Sequence, residues 1–257
     1  MRLSQRVFAV ARSTFKEAIR DRVLLVVLLF ALLLVLFSRV LGWLSVEDEL
    51  KMLQDFSLSG LSLLLLCLSM LVGSFSLARE IERRTTYTLL TRDLMRGELI
   101  LGKFCGLVLV FWTCLLLCAL VLTAWLFLWG GRPQAALLAA VIGLMFEALA
   151  LTAVALFLGS SLSPAIAAVG TLSFYLVGHA TEALREIQGQ GDADRWKGLF
   201  GVAYRFLPNL EDVNFINATT SGRPVAWDAL GMGAVAMLCW SALFIWGAAL
   251  LFSRREL

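Results

Sequence analysis

Charge is what this sequence has least of. Only 16% of its 257 residues are Asp, Glu, Lys or Arg, against 60% hydrophobic, where a soluble domain of this size carries about a quarter charged residues. The apolar residues come in blocks of about 20, the length that crosses roughly 30 Å of hydrocarbon. The chain is therefore read as all-α, a polytopic helical membrane protein. The strict apolar–polar alternation of a transmembrane barrel is missing, which excludes that class. Histidine occurs once, at His179. No H-E-x-x-H or G-x-S-x-G pattern is present, which argues against an intramembrane enzyme. Internal repeats are also lacking, and with them the inverted repeats and broken helices of secondary transporters. The five cysteines (Cys67, Cys105, Cys114, Cys118, Cys239) all lie inside apolar segments. Cys114 and Cys118 have no His, Asp or Glu beside them to complete a metal site, so all five read as packing residues. A cleavable signal peptide is not expected, because the first apolar run is too long for one and follows an amphipathic lead.

The chain predicts six spans. Residues 4 to 21 form an amphipathic helix: Val7, Ala11, Phe15, Ala18 and Ile19 recur at helical spacing, and Arg6, Arg12, Lys16 and Arg20 take the other faces. Such a helix is expected in the membrane interface, its apolar face against acyl chains. Spans follow at about Val23 to Trp43, Phe56 to Leu77, Phe104 to Trp129, Ala135 to Leu158, Ala165 to Ala180 and Asp228 to Phe252. Ser163 is placed to cap the fifth span and Pro164 to open it. The whole chain, 1–257, is one transmembrane domain, with an N-terminal elbow helix (1–22), a polar central segment (79–103) and a mixed loop (181–227).

Orientation follows from the basic residues. With the N-terminus inside, fourteen of the 22 Lys and Arg fall on the inner side. Both termini and the central segment are then cytoplasmic, and the acidic first loop (Glu47, Asp48, Glu49, Asp55) and the long last loop face outward.

The central segment from Arg79 to Lys103 is the only long polar run flanked by two spans. Its six basic and four acidic residues alternate with Tyr87, Leu89, Leu90, Leu94 and Met95, which gives a short amphipathic helix suited to docking a soluble partner. Gly97 to Phe104 nearly matches a phosphate-binding loop, but Phe104 stands where the hydroxyl should be and no strand precedes it. Gly102 and Gly106 instead read as positions where this helix meets a neighbour closely.

Glu147 sits near the middle of the fourth span, where an ionised carboxylate costs roughly 2.5–3.5 kcal/mol. Two readings stand side by side: a group on a translocation path, contacting substrate or protons, or a protonated or hydrogen-bonded Glu that serves packing. His179, at the end of the fifth span, reads as an interfacial packing residue, with a ligand or pH sensor as the alternative. In the last loop Trp196, Phe200 and Tyr204 fall four apart on a short amphipathic helix, and Pro208-Asn209 breaks the chain after it. These five residues are read as an outer gate or, alternatively, an interfacial cap on the bundle.

At this point the chain resembles the permease subunits of ABC type-2 transporters, including bacterial six-span exporters and copper-site maturation permeases. The resemblance begins with the elbow helix. It is most specific in Glu80-Ile81-Glu82-Arg83-Arg84-Thr85, Leu89-Leu90 and Arg96-Gly97-Glu98-Leu99-Ile100-Leu101-Gly102-Lys103, and it continues in Leu207-Pro208-Asn209-Leu210. Arg84 stands where the family commonly has Gly, and Asp93-Leu94 where it has Pro, which implies a differently shaped dock. The resemblance implies docking of a cytoplasmic ABC ATPase through Glu82, Arg83, Arg84, Tyr87, Leu90, Arg92 and Arg96. It also implies a second copy of the chain or a related permease beside it in a bacterial inner membrane. ATP and Mg would sit on the partner ATPase, and no catalytic group, cofactor or metal on this chain; an extracytoplasmic accessory protein is a further partner, and nucleic acid is not. The expected function is export of a hydrophobic or amphipathic substrate; the alternative is a non-transporting component that passes an ATP-driven conformational signal across the membrane.

Overall fold

The computed structural model describes residues 3–20, 29, 30, 33, 37, 49–76, 96–128, 135–190, 209–221 and 224–254. Among them there are helices and short connections and no strand. Helix α1 is Leu3–Arg20; α2 is Glu49–Leu68, continued through a π-helical turn, Ser69–Gly73, to Ser76. Next come α3 (Arg96–Leu128), α4 (Ala135–Ser161) and α5 (Pro164–Gln190). A 3-10 helix (Leu210–Val213) and the short α6 (Ile216–Ser221) lead into α7 (Trp227–Arg254). Among the described residues, four helices are long and apolar enough to cross a membrane: Lys51–Ser76, Gly97–Leu128, Ala135–Ser161 and Trp227–Ser253. They mark the chain as a membrane protein.

The helices overrun the expected spans. α2 starts at Glu49, so Glu49 and Asp55 of the expected acidic loop are already helical. α3 starts at Arg96, which makes the last turns of the polar central segment part of a transmembrane-length helix. The helix of the fifth span opens at Pro164 as expected, with the Ser163 carbonyl accepting from the Ala167 amide at 2.9 Å. It then continues to Gln190, ten residues into the expected last loop. Of the first expected span, positions 29, 30, 33 and 37 are described and helical, and the Phe37 ring lies 5.8 Å from that of Phe56 on α2.

α4 is the centre of the bundle. In its most apolar window 72% of residues are buried, against 28% for α7, so α7 lies at the periphery and presents Met232, Val235, Leu243 and Trp246 outward. α4 can be central because it is thin. Ala139, Ala148, Ala150, Ala153 and Ala155 are wholly buried, and small residues let helix backbones approach where lipid offers no hydrophobic drive. A Cβ on Gly73 of the π turn would press against Ala155, and one on Gly159 against the backbone of Ser74. Trp112 of α3 donates from Nε1 to the Met145 carbonyl at 2.9 Å and ties α3 to α4.

α1 packs against α3 along part of its apolar face and leaves Phe8 and Ile19 exposed. Arg6 lies 3.7 Å from Glu98, Val10 fills the space beside Gly102, and Thr14 fills that beside Gly106. The partner advances by four residues on each helix, so α1 runs alongside α3 in the same direction. Val10, Ala11 and Ala18 are buried in consequence, while Arg12, Lys16 and Arg20 stay exposed. α3 thus covers part of the face expected against lipid, and the reading of Gly102 and Gly106 as close-approach positions holds.

Candidate functional site

Glu147 is 2% exposed in the middle of α4. From α2, the Ser62 hydroxyl donates to Glu147 Oε1 at 2.7 Å, and the Ser62 and Tyr175 hydroxyl oxygens are 3.0 Å apart. A serine hydroxyl has one proton. Since Ser62 gives its proton to the carboxylate, Tyr175 must be the donor to Ser62. The chain Tyr175 to Ser62 to Glu147 therefore has a fixed direction and joins α5, α2 and α4. Burial without such partners would cost about 1–3 kcal/mol per group.

One turn along α5, the His179 ring lies on that of Tyr175, with centroids 4.3 Å apart. Its Nδ1 is 3.2 Å from the Tyr175 carbonyl oxygen and its Nε2 is 4.0 Å from Glu211 Oε1. His179 and Glu211 both lie near enough to Glu147 to act on it electrostatically. One connected polar cluster thus joins α2, α4, α5 and the 3-10 helix. The sequence placed Glu147 and His179 apart; folding brings them together.

The 3-10 helix enters the bundle as a wedge. Leu210 and Val213 are at most 1% exposed. Each neighbouring helix offers it a glycine: Gly143 of α4 faces the Val213 carbonyl, Gly178 of α5 faces Leu210, and Gly233 of α7 faces the Asp212 carbonyl. Two asparagines close the wedge's ends. Asn209 Oδ1 accepts from the Glu211 amide at 3.2 Å and its Nδ2 donates to Asp212 Oδ1 at 2.7 Å. Asn214 Nδ2 donates to Glu211 Oε2 at 2.9 Å, and its Oδ1 accepts from the Ile216 amide at 3.2 Å. Short polar side chains that bond neighbouring backbone favour such turns over longer helix.

The opposite end of the bundle has its own junction, built from Gly97 to Lys103. Gly97 faces Ala249 of α7, Glu98 pairs with Arg6 of α1, and Gly102 seats Val10. Leu99 and Ile100 are buried, and the Lys103 ammonium donates to the Ser76 carbonyl on α2 at 2.5 Å. The near-match to a phosphate loop is continuous helix, with its glycines filled by neighbours and its lysine buried. Beside this junction an apolar groove of about 390 Å³ runs between α3 and α7, lined by residues that include Leu101, Phe104, Leu238 and Trp246.

Among the expected site residues, Glu147 and Asn209 are described, and they belong to the polar cluster and the wedge. Glu82, Arg83, Arg84, Tyr87, Leu90 and Arg92 lie outside the described residues, as do Trp196, Phe200, Tyr204 and Pro208; Arg96 opens α3. Sequence reasoning missed Ser62, Tyr175 and Glu211. Two asparagines flanking an apolar i, i+3 pair were a signal for the wedge, but nothing in sequence separates Ser62 from the many other serines of α2. Of the cysteines, Cys114 and Cys118 are core residues as expected, whereas Cys67, Cys105 and Cys239 are exposed on the helix surfaces. No protein-family model matches the chain, and no curated protein is significantly similar to it.

Proposed function

We propose that this chain is the membrane-spanning permease subunit of an ABC exporter, with six spans, driven by a separate cytoplasmic ATPase. The observation that carries the reading is the junction Gly97 to Lys103. It follows directly on the basic segment 79–95 and makes contact with α1, α2 and α7 at once. A partner gripping segment 79–96 through Glu82, Arg83, Arg84, Tyr87, Leu90, Arg92 and Arg96 would pull on a point from which three other helices move. Apolar anchors with Arg and Glu around them suit such a dock, giving affinity and register respectively.

ATP-driven closure of two ATPase subunits would displace this junction in two paired permeases. Helix motion of that kind is a switch between discrete packings, not chemistry on this chain. The path would open where α4 meets α2 and α5, because relative movement there separates Ser62 from Glu147 and Tyr175. Glu147 is the residue a passing substrate or proton would meet. The scarcity of other charge at this depth fits a hydrophobic or amphipathic cargo.

The alternative, a non-transporting transmitter, draws on the wedge. It locks three helices at the end remote from the junction, so a pull at one end would be delivered to the segment that follows α5 at the other, and so to an extracytoplasmic partner.

The test is purification from detergent of wild type and of a variant with Arg83, Arg84, Leu90 and Arg96 replaced by Ala. The wild type is expected to bring down a subunit that hydrolyses Mg-ATP, and the variant to lose it while keeping the same thermal transition. Absence of an ATPase from both forms sinks the reading. Given binding, ATP turnover stimulated by a lipidic cargo favours the exporter, and turnover indifferent to every cargo favours the transmitter.

A further inference from the structure

We infer that the apolar groove between α3 and α7 holds one acyl chain of an anionic phospholipid, with the headgroup at the helix ends marked by Arg96 and Arg254. The inference rests on what lines and ends this groove and is independent of any ATPase partner.

α3 and α7 both pack on α4, and the groove runs between them with the buried Leu149 of α4 as part of its lining. Leu101 of α3 and Leu238 and Trp246 of α7 are exposed and open it to the bilayer. Ser241 commits its proton to the Met237 carbonyl of its own helix at 2.7 Å, so apart from the Trp246 indole the side chains of the walls are hydrocarbon. Walls of this kind hold no water, and at membrane depth the fluid that replaces it is acyl chain. A protein helix is too thick an occupant. One helical turn, about 10 Å across and 5.4 Å long, takes roughly 420 Å³, whereas the whole groove is about 390 Å³. A single hydrocarbon chain is thin enough to lie along it.

The end of the groove adds charge. α3 opens at Arg96, one residue before Gly97, and α7 closes at Arg254, five residues after Ala249. Gly97 faces Ala249, with 3.8 Å between the Ala249 Cβ and the position a Cβ on Gly97 would take. The two helix ends therefore meet, and both arginines belong to the same end of the groove. Glu98, the acidic residue of this turn, is buried and pairs with Arg6 of α1 at 3.7 Å, so its charge is directed to α1. Basic residues where transmembrane helices end beside an apolar cleft suit a lipid with an anionic head and a hydrocarbon tail. A zwitterionic lipid would fill the groove equally well but gain less at its end.

The test uses the full chain in nanodiscs of equal parts phosphatidylglycerol and phosphatidylcholine, with a photoactivatable diazirine on the acyl chain of one lipid or the other. Mass spectrometry maps the adducts. Phosphatidylglycerol is expected to label Leu101, Phe104 and Ala242 more heavily than Leu243 and Leu250, which are exposed on α7 outside the groove. Within the groove it should outlabel phosphatidylcholine by about fivefold, the preference expected for one basic residue near an anionic headgroup. Ala242→Phe, which puts a ring into the groove from an exposed position, should lose the labels at Leu101 and Phe104 and keep those at Leu243 and Leu250. Arg254→Gln, outside the proposed ATPase dock, should bring the two lipids closer to parity. Groove labels no heavier than those at Leu243 and Leu250 mean ordinary boundary lipid and overturn the inference. Equal yields from the two lipids overturn it as well, and so does an unlabelled groove, which means that a segment of this chain or a second copy covers it. The wild-type comparison decides the matter even where a variant does not fold.

Discussion

The carbonyl oxygen of Val213 occupies the space that a Cβ on Gly143 would need. No side-chain rotation relieves such a collision, because both atoms are set by backbone. α4 and the wedge are therefore fitted to one another at a single point where only glycine is admitted.

Gly143→Ala is accordingly expected to expel or shift the wedge and to destabilise the protein by about 1–3 kcal/mol or more, the range for overpacked cores. Gly231→Ala, on α7, is the control. A Cβ there meets nothing within 4 Å, so the change should be neutral or stabilise by up to about 1 kcal/mol through helix propensity. Thermal unfolding in detergent, read side by side, checks the pair.

The direction of the Tyr175–Ser62–Glu147 chain makes Ser62 the shared partner. Ser62→Ala should cost about 1–3 kcal/mol by leaving a carboxyl and a phenol buried without their hydroxyl. Ser69→Ala should do the opposite. The Ser69 hydroxyl is buried and has no hydrogen-bond partner among the described residues, so its removal is expected to be neutral or stabilising. Equal losses from the two substitutions would contradict the assigned network.

Glu147→Gln keeps an oxygen for Ser62 to donate to while removing the capacity for charge. We expect its stability to stay within about 1 kcal/mol of wild type, since a neutral hydrogen bond is worth about that much. In the proposed exporter, substrate-stimulated ATP turnover should nevertheless fall. Unchanged turnover would assign Glu147 to packing alone.

At the other end, Gly102→Leu places a side chain where Val10 now lies. The expected result is release of α1 from α3, read as protease cleavage within residues 3–20 that wild type resists. Arg6→Ala, which takes a cation from beside the buried Glu98 carboxylate, should destabilise the junction without releasing α1, since Val10 and Thr14 still fill the spaces at Gly102 and Gly106.

Thiol accessibility divides the cysteines. Cys114 and Cys118 are buried between α3 and its neighbours, and Cys67, Cys105 and Cys239 face outward. A small lipid-soluble thiol reagent should react with no more than three cysteines in the folded protein and with all five after unfolding in SDS. Mass spectrometry of the labelled chain counts them directly.

The helical class and the long apolar segments were legible because membrane solvation imposes them through composition and run length alone. The Pro164 start was legible for a local reason, since proline fits the first turn of a helix but not its interior. What sequence could not supply was pairing between distant segments. Gly143, Gly178 and Gly233 look like any glycines of apolar helices until the wedge is seen between them. Glu147 looked solitary because Ser62 is 85 residues away, and Tyr175 and Glu211 lie on other elements. The packing of α1 on α3 was hidden for a different reason. Amphipathicity states that a helix has an apolar face, not whether lipid or another helix covers it.

The pairing of α1 with α3 also has a consequence in time. α1 is synthesised before α3, and the glycines that receive it, Gly102 and Gly106, are made some 90 residues later. At roughly 5–20 residues per second, the ribosome leaves α1 without its seat for about 5–18 s. During that interval an amphipathic, basic segment can rest on the bilayer surface. Its composition then fits the nascent chain, and its packing on α3 fits the finished one. Shortening that delay should bury α1 sooner; lengthening it should leave more chains exposed to proteases that remove unassembled membrane proteins.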